Sequence, residues 1–204
     1  MSWPTPWPPP VSDSPDLAGL LAGPVLEVAP RLLGATLRHG DVAVRITEVE
    51  AYAGAADPGS HAYRGPTTRN RVMFGPPGRL YVYFTYGMHY CCNIVCGRED
   101  DPSAVLVRAG EVVDGLALAQ ARRGSAPTRD LARGPARLCR ALAIGAEHNG
   151  HDLARPPLTL MPGGSLGSIG SGPRVGLRHA ADRPWRFWLT GEPTVSAYRP
   201  AKPI

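Results

Sequence analysis

The chain has 204 residues, of which 43% are hydrophobic and 19% are charged, and its formal net charge is +5. This composition is typical of a soluble globular protein with one domain, and no uninterrupted apolar run approaches membrane-spanning length, which excludes a helical membrane protein. Lys202 is the only lysine, so arginine supplies nearly all of the positive charge. Guanidinium groups bind phosphate with a planar, bidentate fork, which favours a polyanionic partner, although a GC-rich coding sequence would give the same arginine usage.

The cysteines are too few and too clustered for a disulfide framework; they are Cys91, Cys92, Cys96 and Cys139. Adjacent residues of a strand point to opposite faces, so Cys91 and Cys92 are not expected to share a metal ion. The N-terminus lacks the basic and apolar regions of a signal peptide. We therefore expect reduced, half-buried packing cysteines and no metal site, in a cytoplasmic protein that is nucleoid-associated if bacterial.

The chain begins with a proline-rich segment. Met1–Asp16 is predicted to be an extended, mobile tail. Residues 17–204 are predicted to form a single domain, because neither a linker nor an internal repeat divides them. The apolar residues that lead into Ala29–Leu33 predict a helix that ends at Gly34.

Two strands are predicted next, at Ala35–Arg38 and Val42–Glu50, joined by a turn at residues 39–41. A period of two predicts that one face of the second strand carries Val42, Val44, Ile46, Glu48 and Glu50. A carboxylate at the end of an apolar face is partly removed from water. Glu50 is therefore the first residue whose position indicates chemistry rather than packing.

The following stretch collects aromatic, basic and histidine side chains more densely than any other part of the chain. Ala53–Thr68 is rich in Gly, Pro, Asp, Ser and Thr, which predicts a loop, and this loop carries His61. Arg79–Tyr86 is dense in aromatic and β-branched residues and predicts a strand. Met88–Cys96 is its predicted partner in a hairpin.

The remaining sequence completes an α+β pattern. The predicted elements are a strand at Ser103–Arg108, helices at Gly115–Arg123 and Arg133–Gly145, a flexible loop at Gly163–Pro173, and strands at Val175–Arg178 and Arg186–Thr190. We therefore predict a single α+β domain, with a mixed, mostly antiparallel, curved β-sheet, surrounding helices and a protruding β-hairpin.

Several runs of residues carry a resemblance to one known family. They are ITEVEAY, SHAYRG and TTRNRVMFGPPGRLYVYFTYGMHYCCN between Ile46 and Asn93, followed later by GPARLCRALAI and PRVG. Over roughly Ala29–Arg199 the chain resembles the alkyladenine (3-methyladenine) DNA glycosylases of animals and bacteria. The resemblance implies a base-excision repair enzyme that flips alkylated or deaminated purine nucleotides out of duplex DNA and hydrolyses the N-glycosidic bond.

Hydrolysis of an N-glycosidic bond passes through an oxocarbenium-like transition state, so it needs a base that activates water and stabilises positive charge. Glu50 matches the general base of the family, whereas Glu48 lies further from the aromatic residues. A glutamate at a strand end is, by itself, more often part of a surface ion pair. The resemblance further implies that Arg108 helps to hold the attacking water and a nearby phosphate, and that the backbone carbonyl of Val175 contacts the same water.

The resemblance assigns the pocket for the flipped base to Tyr52, His61 and Tyr83, which would sandwich and contact it. An aromatic slot suits alkylated purines, because electron-poor or cationic rings stack well on electron-rich faces. Asn93 matches the asparagine that crowds the exocyclic amine of normal guanine. Taken singly, a loop histidine and a sheet tyrosine are more often ordinary packing residues. Only their occurrence together, in the same order along the chain as in the family, favours a pocket.

The resemblance also implies contacts with the duplex. Tyr86 matches the residue that is inserted into the gap left by the flipped nucleotide, and Met88 would support it from the next strand. A hairpin that packs its aromatic rings on its own core is the alternative. Arg69 and Arg71 would bind phosphates that flank the lesion, although a solvated charged loop explains them almost equally well.

The scarcity of lysine bears on the mechanism. Glycosylases that also cut the DNA backbone form a Schiff base through an amine, and Lys202 and the N-terminal amine are the amines of this sequence. We therefore expect a monofunctional enzyme that uses water, needs no cofactor and leaves an abasic site. It is expected to act as a monomer on double-stranded DNA that contains damaged purines.

Two other functions fit parts of the pattern. A non-catalytic damaged-DNA-binding module would account for the charge and the hairpin aromatics, but not for Glu50 beside Tyr52. A hydrolase or transferase of free nucleosides would not need a wedge such as Tyr86. The sequence leaves open whether 3-methyladenine, hypoxanthine or ethenoadenine is the preferred base.

Overall fold

The computed structural model describes residues 15–85, 87–164 and 167–201. The helices are α1 (Pro15–Leu21), α2 (Val25–Arg31), α3 (Leu116–Arg123) and α4 (Pro135–Leu142). The strands are β1 (Thr36–His39), β2 (Val42–Tyr52), β3 (Leu80–Thr85), β4 (His89–Cys96), β5 (Ser103–Asp114), β6 (Leu158–Met161), β7 (Ile169–Gly172) and β8 (Arg186–Leu189). Residues 1–14 of the predicted tail lie outside the described residues, and α1 begins within its last two positions.

The strands form one curled sheet. Its order is β3-β4-β5-β2-β1-β6, and β8 pairs with both β2 and β7. Every strand pair in the described parts of the chain is antiparallel. The predicted hairpin is present as β3 and β4 at one edge of the sheet, with Thr85 opposite His89. The predicted α+β fold, with helices around a curved, mostly antiparallel sheet, is confirmed.

The helices cover one face of the sheet and form the main hydrophobic core with it. Leu138 and Leu142 of α4 lie four residues apart on one helical face, and both are fully buried. Cys92 and Cys139 belong to the same core, so these two cysteines are packing residues. Burial of each leucine contributes about 1.5–3 kcal/mol. None of the helices in the described parts of the chain is long and apolar enough to cross a membrane.

A second, smaller cluster lies on the opposite face of the hairpin. It joins Ala62, Val72 and Met73 to Tyr81 and Val95, which alternate along β3 and β4 with residues of the main core. The predicted loop after β2 is therefore not free in solvent, because its apolar residues hold it against the sheet.

The face predicted for the second strand is wrong beyond Ile46. Thr47 has no partner in the register with β5, and Arg108 on β5 has none in the register with β2. A bulge of this kind interrupts the period of two on which the prediction rested, and bulges are frequent beside active sites. As a result Val49 and Ala51 join Ile46 in the main core. Glu48, Glu50 and Tyr52, which alternate with them, point to the other face.

Two C-terminal predictions are also wrong. Val175–Arg178 is not a strand, since Val175 and Gly176 form a turn. Gly163–Pro173 is not only a loop, since it contains β7, which pairs with β8. The glycines of β7 reflect packing rather than flexibility: a Cβ atom at Gly170 would lie 2.6 Å from the indole ring of Trp188. The sequence analysis also missed β6, a strand of four residues that pairs with β1.

Substitution of Gly110 tests how tightly β5 packs against β2 at the point where the core-facing residues of β2 change. It lies opposite Ile46, and a Cβ atom there would clash with the Val44 side chain and the Arg45 carbonyl oxygen. We predict that Gly110→Ala lowers the free energy of unfolding by about 1–3 kcal/mol, as overpacking usually does, measured by urea denaturation. Gly19→Ala in α1 is the matched control, because a Cβ there meets nothing within 4 Å. Equal stabilities of the two variants would contradict the clash.

Candidate active site

A cavity of about 360 Å³ lies on the face of the sheet opposite the main core. Its volume is within the range of small-molecule sites. All of the predicted catalytic and base-pocket residues line it: Glu50, Tyr52, His61, Tyr83, Asn93, Arg108 and Val175. These residues come from β2, β3, β4 and β5, from the loop after β2 and from the turn before β8. The fold thus brings together side chains that are far apart in sequence.

Glu50 lies in the wall of this cavity and is 0% exposed. Its Oε1 accepts a hydrogen bond from the backbone N–H of Val175 at 2.7 Å and lies 3.3 Å from Nη1 of Arg108. Its Oε2 accepts a hydrogen bond from the Tyr52 hydroxyl at 2.8 Å. Burial and the charge of Glu50 raise the pKa of Tyr52, so this hydroxyl remains a donor. The contact predicted for Val175 was its carbonyl, whereas the structure shows its amide bound to Glu50.

A second buried carboxylate, Glu48, holds Arg108 in place. Its Oε1 accepts hydrogen bonds from Nε of Arg108 at 3.0 Å and from Nη1 of Arg186 at 3.1 Å. The backbone N–H of Ser196 donates to its Oε2 at 2.7 Å. Burial alone would lower the pKa of Arg108, but the charges of Glu50 and Glu48 raise it above its ordinary value. Arg108 is thus a charged bridge between the two carboxylates of β2.

The side chain of Arg174 contacts four residues next to the cavity. Its Nη1 donates to the carbonyl oxygen of Ala51 at 2.9 Å, and its Nη2 donates to Asp57 at 2.8 Å. Its guanidinium carbon lies 4.7 Å from the ring centroid of Tyr52 and 5.1 Å from that of Trp185. Arg174 is 1% exposed. Because Val175 is the next residue, the position of Arg174 also sets the amide that binds Glu50.

Asp57 is bound from several sides and anchors the loop that carries His61. Its carboxylate accepts hydrogen bonds from the amides of Gly59 at 3.0 Å and Ala53 at 3.3 Å, in addition to those from Arg174. Burial would raise the pKa of Asp57, but the Arg174 guanidinium and the two amides outweigh it and lower the pKa. A Cβ atom at Gly59 would lie 2.9 Å from Nη2 of Arg174, so the loop passes close to the ion pair.

The aromatic part of the cavity consists of uncharged rings. The His61 and Tyr83 rings are 4.7 Å apart between centroids and meet edge to face at 76°. Nδ1 of His61 is hydrogen-bonded to the Tyr81 hydroxyl at 3.0 Å. Partial removal from water and the nearby Arg69 charge lower the pKa of His61, although one side of the residue is exposed. Burial raises the pKa of Tyr83, so both rings are neutral near pH 7.

Asn93 also lines the cavity. It pairs with Tyr81 in the hairpin register, and its Nδ2 donates to the Tyr81 carbonyl oxygen at 3.2 Å. The side chain is almost fully buried, so its position is fixed. Cys91 lies beside it in the wall, and burial raises the pKa of its thiol to about 11, which keeps it protonated and unreactive.

The predicted DNA contacts are not part of the cavity. Met88 is 67% exposed and lies outside it, and Arg71 is exposed and also lies outside. Arg69 sits next to the cavity, since its guanidinium carbon is 5.4 Å from the Tyr83 ring centroid and its Nη2 donates to the Phe84 carbonyl oxygen at 3.1 Å. Tyr86, the predicted wedge, lies outside the described residues.

Sequence reasoning missed the buried ion pairs around the site. It assigned no role to Asp57, Arg174 or Arg186, because charged residues in loops and at strand ends are usually exposed. One signal was available for Arg174, which directly precedes Val175 in the PRVG run. No comparable signal marked Asp57 or Arg186.

Comparison with known proteins decides the family. The family described as Methylpurine-DNA glycosylase (MPG) matches residues 20–193 of the chain. The chain belongs to the methylpurine-DNA glycosylase family. The resemblance seen in the sequence is thereby confirmed.

Bacterial relatives within this family are similar over most of their length. A protein of Leifsonia xyli subsp. xyli is 57% identical over 187 residues, which cover 85% of this chain and 88% of the relative. A protein of Frankia casuarinae is 54% identical over 93% of this chain and 95% of its own. A protein of Cutibacterium acnes is 45% identical over 88% of this chain and 98% of its own. Each carries the provisional name 3-methyladenine DNA glycosylase.

Membership of the methylpurine-DNA glycosylase family makes this protein a DNA glycosylase of base-excision repair, and DNA is its substrate. Within residues 15–85, 87–164 and 167–201, no group of three or more His, Cys, Asp or Glu side chains could hold a metal ion. The cavity described above is the candidate place for the chemistry of the family.

The Asp57–Arg174 pair gives a prediction about stability. Removal of one partner of a buried ion pair leaves an unpaired charge, so Asp57→Asn should lower the free energy of unfolding at pH 7 by about 3–5 kcal/mol. The folded-state pKa of Asp57 lies below its ordinary value of 3.8, so its contribution is present above that pH and is lost as the pH falls through the folded-state pKa. Denaturant unfolding of both proteins at pH 7 and in acid should show the difference shrinking in acid.

Asp114→Asn is the matched control for this prediction. Asp114 pairs with Arg38 at 2.7 Å on the surface, and the aspartate side chain is 57% exposed. Exposed pairs contribute about 0–1 kcal/mol, so this variant should remain close to the wild type. Equal losses of unfolding free energy in the two variants would show that the buried pair stabilises the fold no more than the exposed pair does.

Proposed function

We propose that this glycosylase excises alkylated or deaminated purines from double-stranded DNA, with a water molecule activated by Glu50, and leaves an abasic site. The observation that carries the proposal is the arrangement around Glu50: a fully buried carboxylate, oriented by three groups, in the wall of a cavity lined by neutral aromatic rings. An oriented carboxylate in a site that excludes bulk water is suited to general-base catalysis and to stabilising a positive transition state.

The contacts of Glu50 indicate which oxygen takes the proton. Oε1 already has two partners, the Val175 amide and the Arg108 guanidinium. Oε2 accepts one hydrogen bond from the Tyr52 hydroxyl and, among the described residues, has no second donor. A carboxylate oxygen has two lone-pair sites, so Oε2 keeps one for the attacking water. In the proposed mechanism, Oε2 of Glu50 removes the proton of the water that attacks C1′ of the flipped nucleotide.

The lining of the cavity suits a damaged purine. Tyr52, Tyr83 and His61 offer aromatic surfaces on which a base extruded from the duplex can stack. Alkylated purines are electron-poor or cationic, and a neutral His61 does not repel them, because its pKa is lowered. We assign Asn93 the role of excluding normal guanine, since its buried side chain is held in the wall by Tyr81. In this proposal, the side chains that line the cavity determine which damaged base is preferred.

The site supports a monofunctional enzyme. A glycosylase with lyase activity needs an amine nucleophile, but no lysine is among the residues that line the cavity. Lys202 is the only lysine of the sequence and lies outside the described residues. Water is therefore the proposed nucleophile, and the proposed product is an intact strand with an abasic site. We further propose that a monomer acts on the duplex, with Tyr86 and Met88 at the gap and Arg69 and Arg71 on flanking phosphates.

Glu50→Gln tests the mechanism. We predict that single-turnover excision of hypoxanthine or ethenoadenine from duplex DNA falls by roughly 10²–10⁴-fold, because the amide cannot act as the base. Binding of lesion DNA should persist. Strand breaks scored with and without hot alkali measure excision, and with the wild type they should depend on alkali.

The control for this prediction is Glu27→Gln, which makes the same chemical change at an exposed position on α2 and should leave the rate unchanged. Breaks without alkali would overturn the monofunctional assignment. Bound lesion DNA with no excision by the wild type would instead favour a non-catalytic binding module.

Tyr86 separates a duplex-specific enzyme from a hydrolase of free nucleosides. If Tyr86 fills the gap in the duplex, Tyr86→Ala should slow excision from duplex DNA by about tenfold or more, since unstacking a base costs a few kcal/mol. Tyr86→Phe keeps the ring and should retain most of the rate. The measurement is single-turnover excision by the two variants. An unchanged rate in Tyr86→Ala would show that this residue is not the wedge.

A further inference from the structure

The buried carboxylate of Glu48 is close to the proposed chemistry but takes no direct part in it. Glu48 is 0% exposed and is not among the described residues that line the cavity. Its Oε1 accepts hydrogen bonds from Nε of Arg108, Nη1 of Arg186 and Oγ of Ser196, and its Oε2 accepts one from the Ser196 amide. A carboxylate has about four acceptor sites, and these donors fill them. Glu48 is therefore not a second general base.

The guanidinium of Arg108 meets the two carboxylates of β2 with different atoms. Its Nε donates to Glu48 at 3.0 Å, and its Nη2 donates to Oγ of Ser196 at 3.4 Å. The approach to Glu50 is made by Nη1, which lies 3.3 Å from Oε1. A charge-assisted hydrogen bond is typically about 2.7–2.9 Å long, so this approach is loose. Glu48 and Ser196 thus hold the edge of the guanidinium that carries Nε and Nη2, and Nη1 is directed at Glu50.

The position of Glu48 is itself fixed by the C-terminal part of the chain. The guanidinium carbon of Arg186, on β8, lies 4.6 Å from the ring centroid of Trp188 and 5.4 Å from that of Tyr198. Ser196 follows β8 and contacts Glu48 through both its amide and its hydroxyl. Glu48 is therefore an anchor for Arg108 that is supported from two neighbouring segments.

The charges of this cluster balance. Glu48 and Glu50 face Arg108 and Arg186, and each of these side chains is at most 8% exposed. In the parts of the chain that the structure describes, neither arginine is paired with another carboxylate. If Glu48 were uncharged, Glu50 would be the one carboxylate left to pair with Arg108.

A released Arg108 would have a different preferred arrangement. Arginine and carboxylate groups commonly pair through two parallel hydrogen bonds, one to each oxygen. Such a pair with Glu50 would engage Oε2 as well as Oε1. Oε2 is the oxygen that, in the proposed function, keeps an acceptor site for the attacking water. A two-bond pair would therefore compete with the water for the oxygen that removes its proton.

We propose that Glu48 is a positioning residue for excision: it holds Arg108 by its Nε edge, so that Arg108 orients Oε1 of Glu50 and leaves Oε2 free. The inference rests on the proposed function, because it takes Glu50 as the general base. Glu48 acts through Arg108 and touches neither the base nor the water.

The first test is Glu48→Gln, which keeps the size of the side chain and removes its charge. The measurement is single-turnover excision of hypoxanthine from duplex DNA, with the enzyme in excess over the DNA. We expect the maximal rate at saturating enzyme to fall by about tenfold to 10²-fold, because small misplacements of reacting groups have effects of this size. A misfolded fraction would instead raise the enzyme concentration that gives the half-maximal rate and leave the maximal rate unchanged.

Ser196→Ala is a second variant, which keeps every charge of the cluster. It removes the hydroxyl that accepts from Arg108 and donates to Glu48. The loss of one net hydrogen bond should lower the maximal rate about two- to tenfold. Wild-type maximal rates in both Ser196→Ala and Glu48→Gln would overturn the proposal.

A double-mutant cycle shows whether Glu48 acts through Arg108. The variants are Glu48→Gln, Arg108→Gln and the combination, which removes one charge of each sign. If Arg108 carries the effect of Glu48, the double variant should excise at the rate of Arg108→Gln alone, since residues that act as a unit are not additive. Losses that multiply would overturn the proposal, because Glu48 would then act independently of Arg108.

Glu192→Gln is the matched control. Glu192 pairs with Arg45 of β2 at 2.6 Å, and its side chain is 21% exposed. The substitution makes the same chemical change beside another arginine of the sheet, and Arg45 keeps Glu111 as a partner. Its maximal rate should equal that of the wild type. A loss as large as that of Glu48→Gln would overturn the proposal, since any ion pair of β2 would then have the same effect.

Failure of this proposal and failure of the proposed function give different results. The Nε–H resonance of Arg108, assigned by its loss in Arg108→Gln, reports the position of Arg108 without excision. A hydrogen bond to a buried carboxylate protects this proton from exchange with solvent, so the protection should be lost in Glu48→Gln. Lost protection with a wild type that excises no lesion would support the positioning and reject the chemistry. Excision abolished by Glu50→Gln, with protection and rate unchanged in Glu48→Gln, would support the chemistry and reject the positioning.

Discussion

The site depends on ionised side chains that are held inside the protein together with their partners. Glu48, Glu50 and Asp57 are all 0% exposed, and their main partners, Arg108 and Arg174, are also buried. Burial of a lone charge costs several kcal/mol, a large part of the 5–15 kcal/mol that typically stabilises a domain. Every carboxylate therefore needs its guanidinium or amide donors in place, and the site cannot form before the strands and loops that supply them.

The donors come from segments that are distant in sequence. The β2 carboxylates meet Arg108 from β5, the Val175 amide from a turn, and Ser196 from the segment after β8. Arg174 links the end of β2, the loop that carries His61 and the indole of Trp185. The orientation of one carboxylate is thus a property of the whole fold.

Much of the architecture and most of the cavity could be predicted from the sequence. The hairpin, α3 and α4 follow from local composition, and the cavity residues follow from a resemblance that covers many positions in order. Glu50 was selected for a reason that proved wrong, because its strand does not keep the period of two that placed it on an apolar face. Buried arginines such as Arg174 could not be predicted, since their burial depends on acceptors that only the three-dimensional structure brings near.

The bulge at Thr47 makes the site depend on where the alternation of β2 is interrupted, as well as on which residues the strand carries. A β2 strand with the same residues but without the bulge would alternate regularly and would turn Glu48 and Glu50 into the main core, in exchange for Val49 and Ala51. The free-energy cost of burying two unpaired carboxylates in an apolar core would exceed the free energy that stabilises a typical domain. The position of Glu50, the proposed general base, therefore depends on the bulge that precedes it as well as on the identity of the residue.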